Sequence, residues 1–405
     1  MYKMPAILFV QLFFSLTVLS QRTIKGRVVD AASGEAIPGS SVFINNSSKG
    51  VISDKAGQFE MRDIPAGNHE LIISSIGYET SVFSFSADQL PLQLKIELRV
   101  KVRELENVTV EPSVEEGWDK WGRMFSESFI GSTPNAFHCK IKNPKAIRFR
   151  YYKKSNRVIA YSDEPIIVEN KALGYIIRYQ MEDFEVNFKS GTSSFAGYPF
   201  FEEMDKNRKK WGRNREKAYS GSMMHFMRSV YNNQLTEEGF EVRRMKKVLN
   251  TEKERVKKIY ALLRHSGSSD ISKNKLDSLQ KDSVDYYQRV LRQKDYTEVY
   301  EAATLTSDSL VAKQEAGYKI IFFSDYLFIT YKKEMEDRSY LDFFHEKRSP
   351  AFQRSYIWLT NGNAVGIDAN GSCYPPQEVF STAYWGWEEK MANMLPLDYW
   401  PETKE

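Results

Sequence analysis

The chain has 405 residues, with 57 Lys and Arg against 53 Asp and Glu and a net charge of +4. That balance does not mark the whole chain as a polyanion binder, and 41% hydrophobic with 14% aromatic residues excludes an intrinsically disordered chain. Two cysteines, Cys139 and Cys373, exclude a disulfide framework, so folding rests on apolar burial, and the length fits two domains.

Lys3 precedes an apolar run from Ala6 to Leu19, and Val18 and Ser20 are small residues placed for cleavage before Gln21. This is the pattern of a secretory signal peptide over residues 1–20. The run is shorter than the roughly 18–20 residues of a spanning helix. The expectation is an exported protein, periplasmic or outer-membrane-associated, with no transmembrane segment in the mature chain. Export leaves both disulfide pairing and separate thiols open for the two cysteines.

Residues 24–98 read as short strands separated by turns. Ile24 to Val29 alternates and stops at Asp30 to Glu35; Ser41 to Ile44 is closed by Asn45 to Gly50. Gln58 to Met61 follows the turn Asp54-Lys55-Ala56-Gly57, and His69 to Ser74 follows Ile64-Pro65-Ala66-Gly67. Turn signals at this density predict an antiparallel sandwich.

These residues also carry a resemblance. Gly26-x-Val28-x-Asp30, Ser33-Gly34-x-x-Ile37-Pro38-Gly39-Ser40-x-Val42, Gly50, Ser53-Asp54-x-x-Gly57-x-Phe59, Ile64-Pro65-x-Gly67 and Leu71-x-Ile73-Ser74-x-Ile76-Gly77-Tyr78 occur in order. The stretch resembles the carboxypeptidase-regulatory-like, transthyretin-like module. The resemblance implies a seven-stranded β-sandwich of the prealbumin type over residues 21–98, appended to a zinc carboxypeptidase or to a TonB-dependent receptor and not itself catalytic. Neither companion fits the remaining sequence. None of the five histidines has Glu three residues on, and His345 lacks a second His four residues on, so the common zinc-peptidase spacings are absent. Leu105 to Val110 is similar to the short β segment before a receptor plug, or reads as a last strand running into a linker. About 295 residues follow it, too few for plug and barrel.

Residues 99–117 read as a linker. Beyond it, Trp118, Trp121, Phe125 and Phe129 share one face of a helix that Gly131 caps. Strands are predicted at 147–151, 158–161 and 166–168, and at 174–180 paired with 184–188. A helical insert follows near 218–240, where His225 is a ligand or a residue held in place. Strands resume at 318–323 and 326–331, and 356–360 and 364–368 flank Asn361-Gly362-Asn363, a hairpin signal. Asp368-Ala369-Asn370-Gly371 reads as a turn, because Val379 stands where a calcium loop requires Glu. The fold class expected is mainly β with helical insertions, α+β, with residues 118–405 as the larger β-rich domain. That region is similar to the C-terminal part of uncharacterised exported proteins that carry the module, on Asn143-Pro144-Lys145-Ala146, Gly221-Ser222-x-x-His225-Phe226-x-Arg228-Ser229 and Leu395-Pro396-Leu397-Asp398-Tyr399. The resemblance implies an envelope protein and no known chemistry.

Basic runs at Lys206 to Lys217 and Arg243 to Lys258 read as an anionic glycan or lipid-headgroup surface, or as solvated faces; nucleic acid does not fit an exported protein. Asp-Ser-Leu or Asp-Ser-Val at 277–279, 282–284 and 308–310 is the short acceptor pattern of envelope O-glycosylation. Tyr384, Trp385, Trp387 and Trp400 are the candidate ligand-binding residues, since flat rings stack on sugar faces and anchor protein interfaces; the alternative is a cap on the core. No catalytic residue, metal or cofactor is expected. The functional expectation is a non-enzymatic envelope protein binding a partner protein or glycan, the alternative an envelope hydrolase acting on glycan or peptide from a site in the second domain.

Overall fold

The computed structural model describes residues 22–101, 111–204, 208–265, 281–315 and 317–402. The signal-peptide pattern, the Leu105 to Val110 segment and the acceptor pattern at 277–279 lie outside them. Two compact units form, one from residues 1–45 and 49–104, the other from 46–48 and 105–405.

The first unit contains seven strands: β1 Ile24–Asp30, β2 Ser41–Ile44, β3 Gly50–Ile52, β4 Gln58–Met61, β5 Asn68–Ser74, β6 Ser81–Ser86 and β7 Leu92–Leu98. They make a three-stranded sheet, β4-β1-β7, and a four-stranded sheet, β3-β2-β5-β6. One core fills the space between, with Ile24 and Val28 from the first sheet against Val42, Leu71 and Ile73 from the second. Alternating burial along β1 and β4 is the period-two signature that the sequence carries. Gly57 is fixed by two demands: its φ is +74°, and a Cβ there would stand 2.4 Å from the Val28 carbonyl oxygen.

The second unit runs β8 Ser113–Glu116, α1 Trp118–Phe129, β9 Cys139–Ile141, β10 Ile147–Tyr152, β11 Arg157–Ser162, β12 Ile166–Asn170, β13 Tyr175–Asn187, β14 Thr192–Glu203, α2 Arg208–Tyr219 and α3 Met223–Tyr231. It continues through β15 Phe240–Leu249, α4 Thr251–His265, α5 Lys281–Arg292, β16 Tyr296–Tyr300, α6 Ser307–Leu310, β17 Val311–Glu315, β18 Tyr318–Ile321 and β19 Tyr326–Met335. It closes with α7 Arg338–Phe343, β20 Phe352–Leu359, β21 Val365–Ile367, β22 Cys373–Tyr374, β23 Val379–Ala383 and α8 Tyr384–Glu388. Three sheets result, of seven, five and four strands.

The seven-stranded sheet packs the predicted aromatic face of α1. Phe125 meets Phe129, Phe149 and Phe184 at ring-centroid distances of 5.0, 5.8 and 4.6 Å. Gly131 ends the helix as expected, its N–H donating to the Ser126 carbonyl oxygen. The five-stranded sheet, in the order β16-β15-β19-β20-β23, covers a second core on one side only. Leu327, Ile329, Ile357 and Trp385 meet Phe226 and Val230 of α3 there.

Several expectations change. Residues 174–188 are one strand, β13, bent by a register shift between Met181 and Asp183, and its partner is β14. Residues 113–116, read as linker, pair with β10. The predicted hairpin does not form: β20 pairs with β19 and β23, whereas β21 pairs with β18 and β22. The carboxylate of Glu378 accepts from Thr360 Oγ1 and from the side-chain amides of Asn361 and Asn363. The turn residues are therefore spent on Glu378, and the chain crosses to another sheet. Both cysteines are unpaired. Among the described residues no helix is long and apolar enough to cross a membrane, which says nothing of a β-barrel.

Candidate binding face on the five-stranded sheet

The sequence candidates at 384, 385 and 387 lie in the interior. Tyr384 and Trp385 are 2% exposed and Trp387 is 5% exposed. Trp385 donates from Nε1 to the Gly221 carbonyl oxygen at 2.7 Å and packs on Phe226. Tyr384 and Trp387 close a small cluster with Tyr340 and Leu341. Steric closure keeps all three from a ligand, so this part of the candidate site is corrected: these rings cap the core. Trp400 is 54% exposed, but one face lies 3.8 Å from the Arg228 guanidinium. That guanidinium is itself buried and donates to the carbonyl oxygens of Asn370, Leu397 and Tyr399. Trp400 thus covers a structural cation that holds the irregular segment around Leu397 and Tyr399.

Other sequence candidates are also structural. His225 Nδ1 accepts from the Gly221 N–H, which assigns the proton to Nε2 and makes that nitrogen the donor to Glu238 at 3.1 Å. Asp368 Oδ1 accepts from the N–H groups of Asn370 and Ser372, closing the turn on itself. Burial pushes this carboxyl up to about 6. Ser309 of the 308–310 pattern serves a capping box with Thr306. Trp211 of the first basic run is buried and donates to the Lys171 carbonyl oxygen.

Acidic groups do converge near α8, but inside the packing. Burial raises Glu388 well above the usual carboxylate range and Glu389 to about 7; Glu389 accepts from the Met223 N–H at 2.6 Å. A shallow groove of about 510 Å³ lies along α7, where Arg348 is held by Glu336 and Glu346 and Arg338 by Asp342. Both arginines of the groove are therefore committed to ion pairs. Among the described residues no group of three or more His, Cys, Asp or Glu is placed to hold a metal.

The face that stands open is the other side of the five-stranded sheet. Strand side chains alternate, so Leu327 and Ile329 point to the core while Tyr326 and Phe328 point away. The same parity puts Ile357 and Leu359 inside and Tyr356 and Trp358 outside. Register carries the pattern across all five strands. Tyr300 and Tyr326 both stand opposite Met245, Trp358 opposite Tyr326 and Phe380, and Tyr356 opposite Phe328.

The rings touch in sequence across the sheet. Centroid distances are 5.0 Å for Tyr300–Phe328, 5.1 Å for Phe328–Tyr356, 5.5 Å for Tyr326–Trp358 and 5.8 Å for Trp358–Phe380. Each such contact contributes about 0.5–1.5 kcal/mol beyond area burial. They hold the rings tilted against one another, at interplanar angles from 34° to 66°, in an array spread over about 19 Å at the usual strand spacing. Met245 is buried beneath, while the rings above it stay half-buried and Tyr300 is 40% exposed.

A hydroxyl pair sits in the middle. Tyr300 donates to Glu298 Oε2 at 2.6 Å, because the carboxylate has no proton to give. Tyr356 is then the donor in its 2.9 Å contact with the Tyr300 hydroxyl. Burial, with Glu298 second, raises the Tyr300 pKa, so both hydroxyls stay neutral at ordinary pH. The sequence signal for this face was present in β19 and β20, with Leu327, Ile329, Ile357 and Leu359 on one parity and Tyr326, Phe328, Tyr356 and Trp358 on the other, whereas β15 carries no ring on this side.

No curated protein matches the chain. Among solved structures, a mutant type II cohesin–X-dockerin complex from Acetivibrio cellulolyticus is 20% identical over 19% of this chain and 57% of that one, with TM-score 0.18. The chain thus spans just over half the length of that structure. A putative membrane-associated protein of unknown function from Bacteroides fragilis is 10% identical over 85% of this chain and 93% of that one, with TM-score 0.16. A putative carbohydrate binding protein from Bacteroides uniformis is 8% identical over 44% and 78%, with TM-score 0.15. The N-terminal unit is more specific: residues 24–110 match, and form, a CarboxypepD_reg-like domain.

Proposed function

We propose that this is a non-enzymatic glycan-binding protein of the cell envelope, whose second unit holds polysaccharide on the outer face of its five-stranded sheet. The observation that carries the reading is the ring row Tyr300, Phe328, Tyr356 with Tyr326, Trp358 and Phe380 on the side of the sheet opposite the core. Sugar rings present flat C–H faces, and fixed aromatic planes meet them without ordering cost, since the rings already restrain one another. The Tyr300 and Tyr356 hydroxyls add polar contacts at the centre. An open array of rings spread across the sheet suits an extended polymer. The export pattern of residues 1–20 supports an envelope address, and the CarboxypepD_reg-like domain serves as the mounting module.

The test is electrophoresis of the full-length protein through gels containing a panel of soluble polysaccharides. Retardation by at least one polysaccharide, abolished in Tyr356→Ala/Trp358→Ala with the fold retained by circular dichroism, is expected. Retardation that this double variant leaves intact would overturn the reading.

A further inference from the structure

The charges around the ring row narrow the ligand class. Resting on the glycan reading above, we infer that the bound polysaccharide is anionic, and that its acidic groups pair with Lys247 and Arg354 on the ring side of the sheet.

The placement follows from register. Lys247 pairs with Glu298 and shares its parity with Met245, so it rises on the ring side of the sheet. Its Nζ lies 4.4 Å from the Tyr326 ring centroid. Arg354 pairs with Thr330 and shares its parity with Tyr356 and Trp358, so it rises on the same side from the next strand but one. Both are exposed. Both act electrostatically on the Tyr356 hydroxyl, against the opposing influence of Glu298.

Neither is held in an ion pair, although the Glu298 carboxylate stands opposite Lys247 in the register. Four cations stand on this face, Arg243, Lys247, Lys332 and Arg354, against Glu241 and Glu298. Glu241 is taken by Arg243 at 2.9 Å and by Lys332. Glu298 accepts from the neutral Tyr300 hydroxyl and keeps its charge, so four cations against two carboxylates leave this face with an excess of two positive charges. Lys247 and Arg354 have no ion-pair partner among the described residues. Two cations outside any ion pair, on a face of aromatic rings, are complementary to carboxylates carried on sugar rings: the ring stacks, the acid pairs, and Arg354 offers a planar fork that matches carboxylate geometry. A neutral glycan would leave both cations unanswered. The spread of the face and its positive excess favour a polyuronate-like chain over a single acidic sugar.

The experiment is titration calorimetry of the full-length protein with oligogalacturonate and, separately, with a neutral cello-oligosaccharide of equal length, in low and high NaCl. Wild type is expected to bind oligogalacturonate at least tenfold more tightly, with affinity falling as salt screens the pairing. Lys247→Gln/Arg354→Gln is expected to lose about tenfold for the acidic ligand alone, with melting temperature held, while Tyr356→Ala/Trp358→Ala loses both ligands. Equal binding of the two ligands, or an unchanged acidic affinity in Lys247→Gln/Arg354→Gln, would overturn the anionic assignment and leave the glycan reading standing. Binding that survives Tyr356→Ala/Trp358→Ala would overturn both.

Discussion

Two groups of aromatic side chains in the second unit have opposite fates. Tyr384, Trp385 and Trp387 cluster in sequence, and all three are buried. Tyr300, Tyr326, Phe328, Tyr356, Trp358 and Phe380 are scattered over some eighty positions, yet strand register assembles them on one open face. The difference teaches that a dense aromatic run satisfies itself: on one turn of helix its rings point around the axis and find partners in the core. A row assembled from separate strands has a sheet surface that no layer among the described residues faces. The first arrangement supplies stability, the second leaves ring faces for a ligand.

The largest effect that separates the two groups is on stability. Trp385→Ala removes a buried indole and its hydrogen bond to Gly221. It should cost about 3–5 kcal/mol in urea unfolding. A loss as small as that of an exposed ring would break the contrast.

A pH profile sharpens the buried side. Burial raises the folded-state pKa of Glu389 to about 7, above its unfolded value of 4.5. The contribution is therefore fully present below pH 4.5 and is lost as pH rises through 7, on the order of 1–3 kcal/mol by linkage. Glu389→Gln keeps an acceptor for the Met223 N–H. It should flatten the decline of stability between about pH 5 and 8; a variant that declines as steeply as wild type would remove Glu389 as the cause.

Smaller effects belong to the open side. Tyr356→Ala and Trp358→Ala should each cost about 1–3 kcal/mol, less than Trp385→Ala, because the rings are half-buried and Trp358 makes two ring contacts, while abolishing polysaccharide retardation. Trp400→Ala should cost about 0.5–2 kcal/mol through its lost contact with Arg228 and leave retardation unchanged. Loss of retardation in Trp400→Ala would move the site to the C-terminal segment.

Much of the fold was legible. Turn glycines and alternating strands specify the first unit, because a position such as Gly57 has only one residue type that fits its φ and its approach to Val28. The α1 face was legible because Trp118, Trp121, Phe125 and Phe129 recur at helical spacing. The pairing of β13 with β14 was not: residues 192–203 mix Gly197 and Pro199 with Ser and Phe, and only the partner strand holds them extended. The crossing at Asn361-Gly362-Asn363 was hidden because Glu378, which captures the turn, lies fifteen residues beyond Asn363. The open face was hidden for the same reason on a larger scale. Each strand shows which residues share a side; only long-range register shows that six rings on four strands form one surface.

Side-chain footprinting by hydroxyl radicals tests the central claim most directly, since it reads ring exposure residue by residue on the full-length protein. With saturating oligogalacturonate, oxidation of Tyr300, Tyr356 and Trp358 should fall several-fold, Trp400 should keep its labelling, and Tyr384 and Trp385 should stay unlabelled throughout. Protection confined to Trp400, or ligand-bound protein in which Tyr356 and Trp358 oxidise at the free rate, would contradict the account.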